Sequence, residues 1–385
     1  MSLQDSLMAR LDRLASVRLV AQIGAAIGRE FSYALLHTVA RLPEQELQTA
    51  LARLVASELV FQRGTPPEAV YIFKHALVQD TAAIQKNGLK LEWHDGKVHI
   101  ARMKAVNKPA KAGKQDIVVL AVKAHFLDQV VRDIDSLLDP DTVVLTVQNG
   151  LPWWYFQRLG GQSDNRWLES LDPSGILTKN IDPNRIIGCV VYPAAAATAP
   201  GVIHHVEGDR FPIGELDGKE TERVKELHDV FIKAGLKSLV LPDIRSEIWL
   251  KSWGNLSFNP ISALTHATLV DICQFAETRE LAATMMKESQ DIAQKLGVTF
   301  RVTIDKRIAG AEAVGAHKTS MLQDVEAGRS LETEALIGSI LEMAKLTRTS
   351  APAIEAVYAL VKLLNRVMLT EGGGVKLDKS EAKAA

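Results

Sequence analysis

Apolar positions along the chain change their period near residue 84. Before it they recur at helical spacing. Leu3, Leu7, Leu11 and Leu14 form one stripe, and Leu47, Leu51, Leu54 and Val55 form another, begun by Pro43 at a helix entry. Two short β-prone pieces follow, Glu58–Gln62 and Val70–Phe73, and the turn Gly64-Thr65-Pro66-Pro67 between them makes a hairpin. Helices followed by a two-stranded wing suggest a small winged-helix module over residues 1–82. Beyond it strands and helices alternate. Ile117–Val122 and Thr142–Val147 are continuous apolar runs, which predicts strands buried on both faces of a parallel sheet. Phe126, Val130, Val131, Ile134, Leu137 and Leu138 predict a crossover helix between them, making a right-handed βαβ unit. Arg185–Val191, Gly201–His205 and Ser238–Leu241 read as further strands, with helix Glu220–Ala234 before the last. From Asp243 the pattern is helical, over 245–258, 277–296, 320–328, 332–346 and 351–368. The tail from Gly372 is flexible by composition. The expected fold class is α/β. A parallel-sheet domain at 83–243 precedes an all-helical domain at 244–370, with the small module at 1–82 and a tail at 371–385.

Composition narrows the function classes. The chain has 385 residues, enough for two or three domains, and a formal net charge of −1, which argues against a broad nucleic-acid-binding surface. Lys/Arg and Asp/Glu balance within residues 1–82, so a packing or interaction role suits that module better than DNA binding. No apolar run reaches the ~18 residues needed to span a bilayer. The N-terminal stretch carries acids and no apolar core, unlike a signal peptide. Cys189 and Cys273 lie far apart and read as buried thiols of a reducing cytoplasm. The ten His show no metal-ligand spacing, and adjacent His204 and His205 would face opposite sides of a strand.

The candidate chemistry lies in Lys251-Ser252-Trp253-Gly254-Asn255-Leu256-Ser257-Phe258-Asn259-Pro260. Lys251, Asn255 and Asn259 recur every four residues and share one stripe of a helix. One cation and two carboxamides suit a small substrate with a carbonyl, hydroxyls and a carboxylate; a solvated polar face is the plainer reading of the same spacing. Ordered motifs decide between them. Ala83-Ile84-Gln85-Lys86-Asn87-Gly88-Leu89, Leu120-Ala121-Val122-Lys123-Ala124, Gln148-Asn149-Gly150, Trp249-Leu250-Lys251 with Asn255 and Asn259, and Ser320-Met321-Leu322-Gln323-Asp324 with Glu332 follow one another over residues 84–370. Together they resemble the ketopantoate reductase (2-dehydropantoate 2-reductase) family, NADPH-dependent enzymes of pantothenate and coenzyme A biosynthesis. The resemblance implies roles. Lys251 would be the general acid and Glu332 its acidic partner near substrate and nicotinamide. Asn149, Asn255, Asn259 and Ser320 would contact a keto acid, and Lys123, Asn149, Ala195 and Glu332 the NADP cofactor. Ser320 also reads as a helix N-cap, Glu332 as a first-turn acid and Asn149 as a turn residue before Gly150. With the composition and spacing above, the expected protein is a cytoplasmic enzyme with no membrane, nucleic-acid or metal partner; its oligomeric state is left open, with a homodimer as one option.

One departure matters. A family member should begin with a strand, a G-x-G-x-x-G turn and a helix, whose glycines let the backbone meet the pyrophosphate. No such motif occurs in residues 1–82. Ile23-Gly24-Ala25-Ala26-Ile27-Gly28 is the nearest candidate, and it puts side chains where the pyrophosphate would lie. Leu59–Arg63 could imitate a second strand ending in Arg. The alternative is a fusion. Phe73-Lys74-His75-Ala76-Leu77-Val78-Gln79-Asp80 resembles the piece following the nucleotide-binding domain of adenylate-cyclase-type signalling ATPases, here without a Walker motif. An incomplete Rossmann-like sheet predicts weakened NADPH binding. It also leaves room for a catalytically impaired remnant that binds small acids or protein partners.

Overall fold

The computed structural model describes residues 17, 19–20, 23, 30–56, 60–63, 65–67, 69–73, 75–106, 108–371 and 374–375. The stripe Leu3–Leu14, the Ile23–Gly28 turn apart from Ile23, and most of the tail lie outside them. The chain forms two compact units, one drawn from residues up to Asn107 together with Ala195–Val206, the other from Lys108–Ala194 and Glu207–Ala385. This division differs from the expected borders at 82/83 and 243/244. The expected sheet domain and helical domain share one unit, because a single apolar cluster runs from the sheet into the helices.

In the first unit, strand β1 (Glu30–Ser32) leads into helix α1 (Tyr33–Ala40), capped by the Ser32 hydroxyl, which accepts from Leu35 N. Helix α2 (Glu44–Ala56) buries Leu47, Leu51 and Leu54, so its predicted stripe is its core face. Strands β2 (Val60–Arg63) and β3 (Val70–Phe73) pair antiparallel as the hairpin expected from the turn between them. That pairing removes Leu59–Arg63 as an imitation of a parallel second strand. Helix α3 (His75–Asn87) runs to Gly88, whose φ of 82° only glycine adopts at low cost. Next come β4 (Leu89–Glu92) and β5 (Val98–Ala101), a hairpin whose Asp95-Gly96 turn was a legible signal that the periodicity reading passed over.

The second unit begins with the sheet that carries the site. Strand β6 (Gln115–Leu120) lies parallel to β7 (Leu138–Thr146), and β7 parallel to β8 (Ile186–Cys189). The predicted crossover helix is broken into a short α4 (Leu127–Val131) flanked by 3₁₀ turns, and a further short helix, α5 (Ile176–Asn180), precedes β8. Strands β9 (Ala194–Ala199) and β10 (Val202–Glu207) depart into the first unit, where β10 pairs parallel to β4. The Gly201–His205 strand therefore belongs to a different sheet from its predicted neighbours. His205 is buried and His204 exposed, as adjacent positions on a strand require. Strand β11 (Ile213–Glu215) then pairs antiparallel with β8, giving the order β11-β8-β7-β6. Ser238–Leu241 makes one isolated parallel bridge beside this sheet, Val240 to Ile213, not a strand.

Burial along β7 and β6 differs. Val143, Val144 and Leu145 are buried on both faces of β7. On β6, Val118 and Leu120 are buried, but Ile117 is 37% and Val119 51% exposed. The expectation of a doubly buried strand fails there. Helix α6 (Glu222–Lys233) packs Val224 and Leu227 against Val143 and Leu145, and Ile117 and Val119 continue that face without entering this cluster. Strand β6 is also the edge of its sheet.

Helices complete the unit: α7 (Ile244–Thr265), α8 (Leu269–Gln274), α9 (Ala276–Lys295), α10 (Ile304–Ala313), α11 (Ser320–Glu326), α12 (Ser339–Thr347) and α13 (Pro352–Glu371). Helix α7 is central. Asp243 caps it by accepting from Ser246 N, and Trp249, Trp253, Leu256 and Phe258 are buried around it. Arg245 fixes its start by donating to the carbonyls of Tyr155, Leu216 and Gln157. Both cysteines are free and buried. Among the described residues no helix is long and apolar enough to cross a membrane.

Candidate active site

The polar stripe of α7 faces the carboxyl ends of the parallel strands. Lys251 is half-buried. Its Nζ donates to Asn149 Oδ1 at 2.6 Å and to the Val191 carbonyl. Asn149 stands just past the end of β7 and Val191 just past β8, where ligands of such sheets gather. Burial pushes the Lys251 pKa down to about 8, partly offset by the Glu332 carboxylate. The amine thus sits close to the pH at which a general acid works best. The Tyr192 ring lies 5.9 Å from Nζ, and its hydroxyl donates to Glu247, one turn earlier on α7. Arg301 pairs with the same Glu247 at 2.8 Å.

The loop carrying Asn149 is held from both sides. Gln148 Nε2 donates to the carbonyls of Leu120 and Val122, at 2.5 and 3.1 Å. Gly150 has φ 82°, and a Cβ there would collide with the Ala335 carbonyl. That carbonyl accepts from Leu151 N at 3.1 Å. It belongs to a π-helical turn, Glu334–Gly338, which interrupts the predicted helix 332–346. Backbone contact between turn and loop therefore brings Glu332 and Asn149 into one neighbourhood.

Glu332 is half-buried and accepts from Ala124 N at 3.1 Å. Burial raises its pKa, while the Ala124 N–H and the charges of Lys123 and Lys251 pull the other way. Lys123 ends β6's loop and pairs with Asp324 at 2.5 Å, with the Ser330 carbonyl 3.4 Å away. Asp324 also binds Arg329. Sequence reasoning quoted Asp324 within a motif but gave it no role, since a partner 201 residues away leaves no local trace. Gln148 likewise stands in a quoted motif without a role, and Tyr192, Glu247 and the Val191 carbonyl have none in the sequence reading, for the same reason.

Asn259 is buried, and its Nδ2 lies 3.4 Å from Ser320 Oγ. Ser320 does not cap α11; Thr319 does, accepting from Leu322 N. That leaves the exposed Ser320 hydroxyl available. Asn255 is half-buried on the same stripe and bonds no side chain among the described residues. Ala195 lies exposed on β9, in the first unit. Lys251, Asn149, Asn255, Asn259, Ser320, Lys123 and Glu332 all lie in the second. A cleft lined by Thr146, Gln148, Gly150, Trp154, Cys189 and Lys251 reaches the amine. Gln148 Oε1 is buried there without a partner. An orphaned acceptor beside an asparagine and an amine suits the carboxamide end of a nicotinamide. The described residues supply no glycine turn for its pyrophosphate. No group of three or more His, Cys, Asp or Glu among them could hold a metal ion.

Comparison with known proteins bears on the same residues. A family model described as Ketopantoate reductase PanE/ApbA matches residues 72–218, and one described as Ketopantoate reductase PanE/ApbA C terminal matches residues 243–365. The first begins ahead of the residue-84 border read from the sequence. A 2-dehydropantoate 2-reductase of Mesorhizobium japonicum is 51% identical over 282 residues, which is 73% of this chain and 86% of that one. The crystal structure of a candidate ketopantoate reductase from Ralstonia solanacearum superposes with TM-score 0.71 at 34% identity, covering 75% of this chain and 88% of that one. A 2-dehydropantoate 2-reductase of Geobacter metallireducens gives TM-score 0.64 at 26% identity, covering 74% and 89%. The resemblance of residues 1–82 to signalling ATPases has no counterpart among these matches.

Proposed function

Because the chain belongs to the ketopantoate reductase family, we propose that it reduces ketopantoate to pantoate with NADPH, and that the α7 stripe is where it does so. The observation that carries this reading is Lys251, a half-buried amine with a pKa of about 8, held between Asn149 and the Val191 carbonyl.

The chemistry follows from charge. Reducing a keto group needs a proton at the oxygen that becomes an alkoxide. Below pH 8 Lys251 is an ammonium, so it polarises that oxygen and then yields its proton. Asn149 orients the ammonium by accepting a hydrogen bond from it at Oδ1. Glu332, close enough to stabilise the ammonium, balances the charge that Lys251 carries before the transfer. Asn255, Asn259 and Ser320 offer hydrogen bonds to hydroxyl and carboxylate oxygens. The nicotinamide supplies the hydride when bound, and Gln148, Asn149 and Glu332 would hold it.

NADP rather than NAD, a homodimer and a cytoplasmic setting belong to this same reading. So does weak cofactor binding, supported by the open edge of β6 and by the missing glycine turn. Lys123, taken from the resemblance as a cofactor contact, would have to exchange its bond to Asp324. Mixing the purified chain with NADPH and adding ketopantoate tests the proposal. Oxidation that depends on both would support it, and no oxidation at saturating concentrations would refute it.

A further inference from the structure

One cation beside the stripe has no part in the chemistry above. Arg307 lies half-buried on α10. Its guanidinium rests against the backbone of Gly254, where any Cβ would collide with Nη2. Gly254 is three residues beyond Lys251 and one before Asn255, so the guanidinium flanks the stripe itself. Tyr192, whose ring neighbours the Lys251 amine, is also among the groups that act on Arg307.

Other partly buried arginines of this unit are partnered. Arg245 serves three carbonyls, Arg223 pairs with Glu215 and Arg158 with Asp217. Among the described residues the Arg307 side chain has no hydrogen bond and no ion pair. Glu247 is already shared by Arg301 and Tyr192. The ionisable groups that act on Arg307 are Tyr192 and Cys273, and burial raises both, keeping them neutral. A guanidinium half out of water among neutral groups is costly unless an anion joins it. The stripe has the complementary deficit. Asn255, Asn259 and Ser320 offer hydrogen bonds without charge, and Lys251 is committed to the keto oxygen.

We propose that Arg307 recognises the anionic end of the substrate, taking the keto acid's carboxylate on its guanidinium while Lys251 faces the keto oxygen. The inference rests on the reading of α7 as the substrate site. A guanidinium suits this task because its planar fork meets both carboxylate oxygens. Gly254 is what admits it, and a larger residue there would push the side chain aside.

Calorimetric titration of the full chain with ketopantoate, and with its uncharged amide, tests this apart from turnover. Arg307→Gln should weaken ketopantoate about 10- to 100-fold, the range of a hydrogen bond to a charged group, and abolish the preference for acid over amide. Gly254→Ala should do the same in part without removing the arginine. Any turnover loss should fall on KM rather than kcat. Unchanged amide binding would show that the variants are folded. A preference for the acid that survives Arg307→Gln would overturn the inference, as would failure of the unsubstituted chain to bind ketopantoate. Arg307-dependent binding without NADPH oxidation would support the inference while sinking the reductase reading. Turnover with an Arg307-independent KM would do the reverse.

Discussion

The flank of α7 and the edge of β6 belong to the same unit, yet they are finished to different degrees. On α7, Lys251, Asn259 and Glu247 have partners, and Trp249 and Trp253 are buried behind them. On β6, the outer edge has no paired strand among the described residues, and Val119 stands 51% exposed. Acid recognition and proton transfer, as proposed for α7, would draw on residues that the unit supplies and orders itself. Dinucleotide binding needs a strand, a glycine turn and a helix on the open side of β6. The comparison separates two properties that a reductase normally carries together, which makes each separately breakable.

The largest effect is expected at Lys251. Lys251→Met removes the proposed proton donor and should lower kcat about 10³-fold, within the range of general acid catalysis, in stopped-flow measurement of NADPH oxidation. In the unsubstituted enzyme, reduction should slow as pH rises through about 8, because the ammonium is lost. Stability should respond in the opposite sense. The folded pKa lies below that of a free lysine, so the buried charge costs stability below pH 8. That cost fades as pH climbs from there toward 10.5. Urea denaturation should show Lys251→Met gaining on the native chain at pH 7, with the gap closing at high pH. A flat pH profile would mean that the amine is not the acid.

Gly150→Ala comes next. At φ 82°, with the Ala335 carbonyl where its Cβ would go, the substitution must push the Asn149 loop from the π turn. A loss of about 3 kcal/mol in denaturant unfolding is expected, with kcat falling as Asn149 leaves Lys251. An unchanged midpoint would show that the two halves of the site are not held by that contact.

How much of this was legible follows from range. The α7 stripe is local: spacing four on a helix puts Lys251, Asn255 and Asn259 on one face wherever the helix lies. The caps and turns of the first unit are local too, and the hairpin read at Glu58–Gln62 with Val70–Phe73 appears with its first strand at Val60–Arg63. What escaped depends on distant parts of the chain. An apolar run such as Ile117–Val122 signals a strand, but nothing in it says whether a neighbour covers its second face. The departure of β9 and β10 into another sheet turns on pairing with β4, more than 100 residues earlier. Lys123 finds Asp324, and Arg307 finds Gly254, only through the tertiary fold.

A smaller effect probes the other side of the comparison. NADPH should bind at least about 10-fold more weakly to this chain than to the 51% identical Mesorhizobium japonicum reductase, a difference of 1.4 kcal/mol, by calorimetry under matched salt. Equal affinity would mean that some part of the chain rebuilds a phosphate cradle, and the contrast between α7 and β6 would dissolve.

The smallest effect is the most discriminating about β6. Ile117 and Val119 share a face with Val143 and Leu145, which α6 covers, but they lie outside that covered cluster. If water meets them, Ile117→Thr and Val119→Thr remove little buried area and keep a β-branched residue on the strand. Each should then change unfolding free energy by less than about 0.5 kcal/mol. If a segment of this chain or a second chain lies on them in solution, Val119 exchanges a buried methyl, and Ile117 a buried ethyl group, for a buried hydroxyl. The cost then rises to about 1–3 kcal/mol, and would depend on protein concentration only for a second chain. Denaturant titrations at two concentrations, repeated with saturating NADPH, separate these cases. A cost that appears only with NADPH would place the nucleotide's own ordering of the chain over β6, and the open edge would then be a state that the cofactor closes.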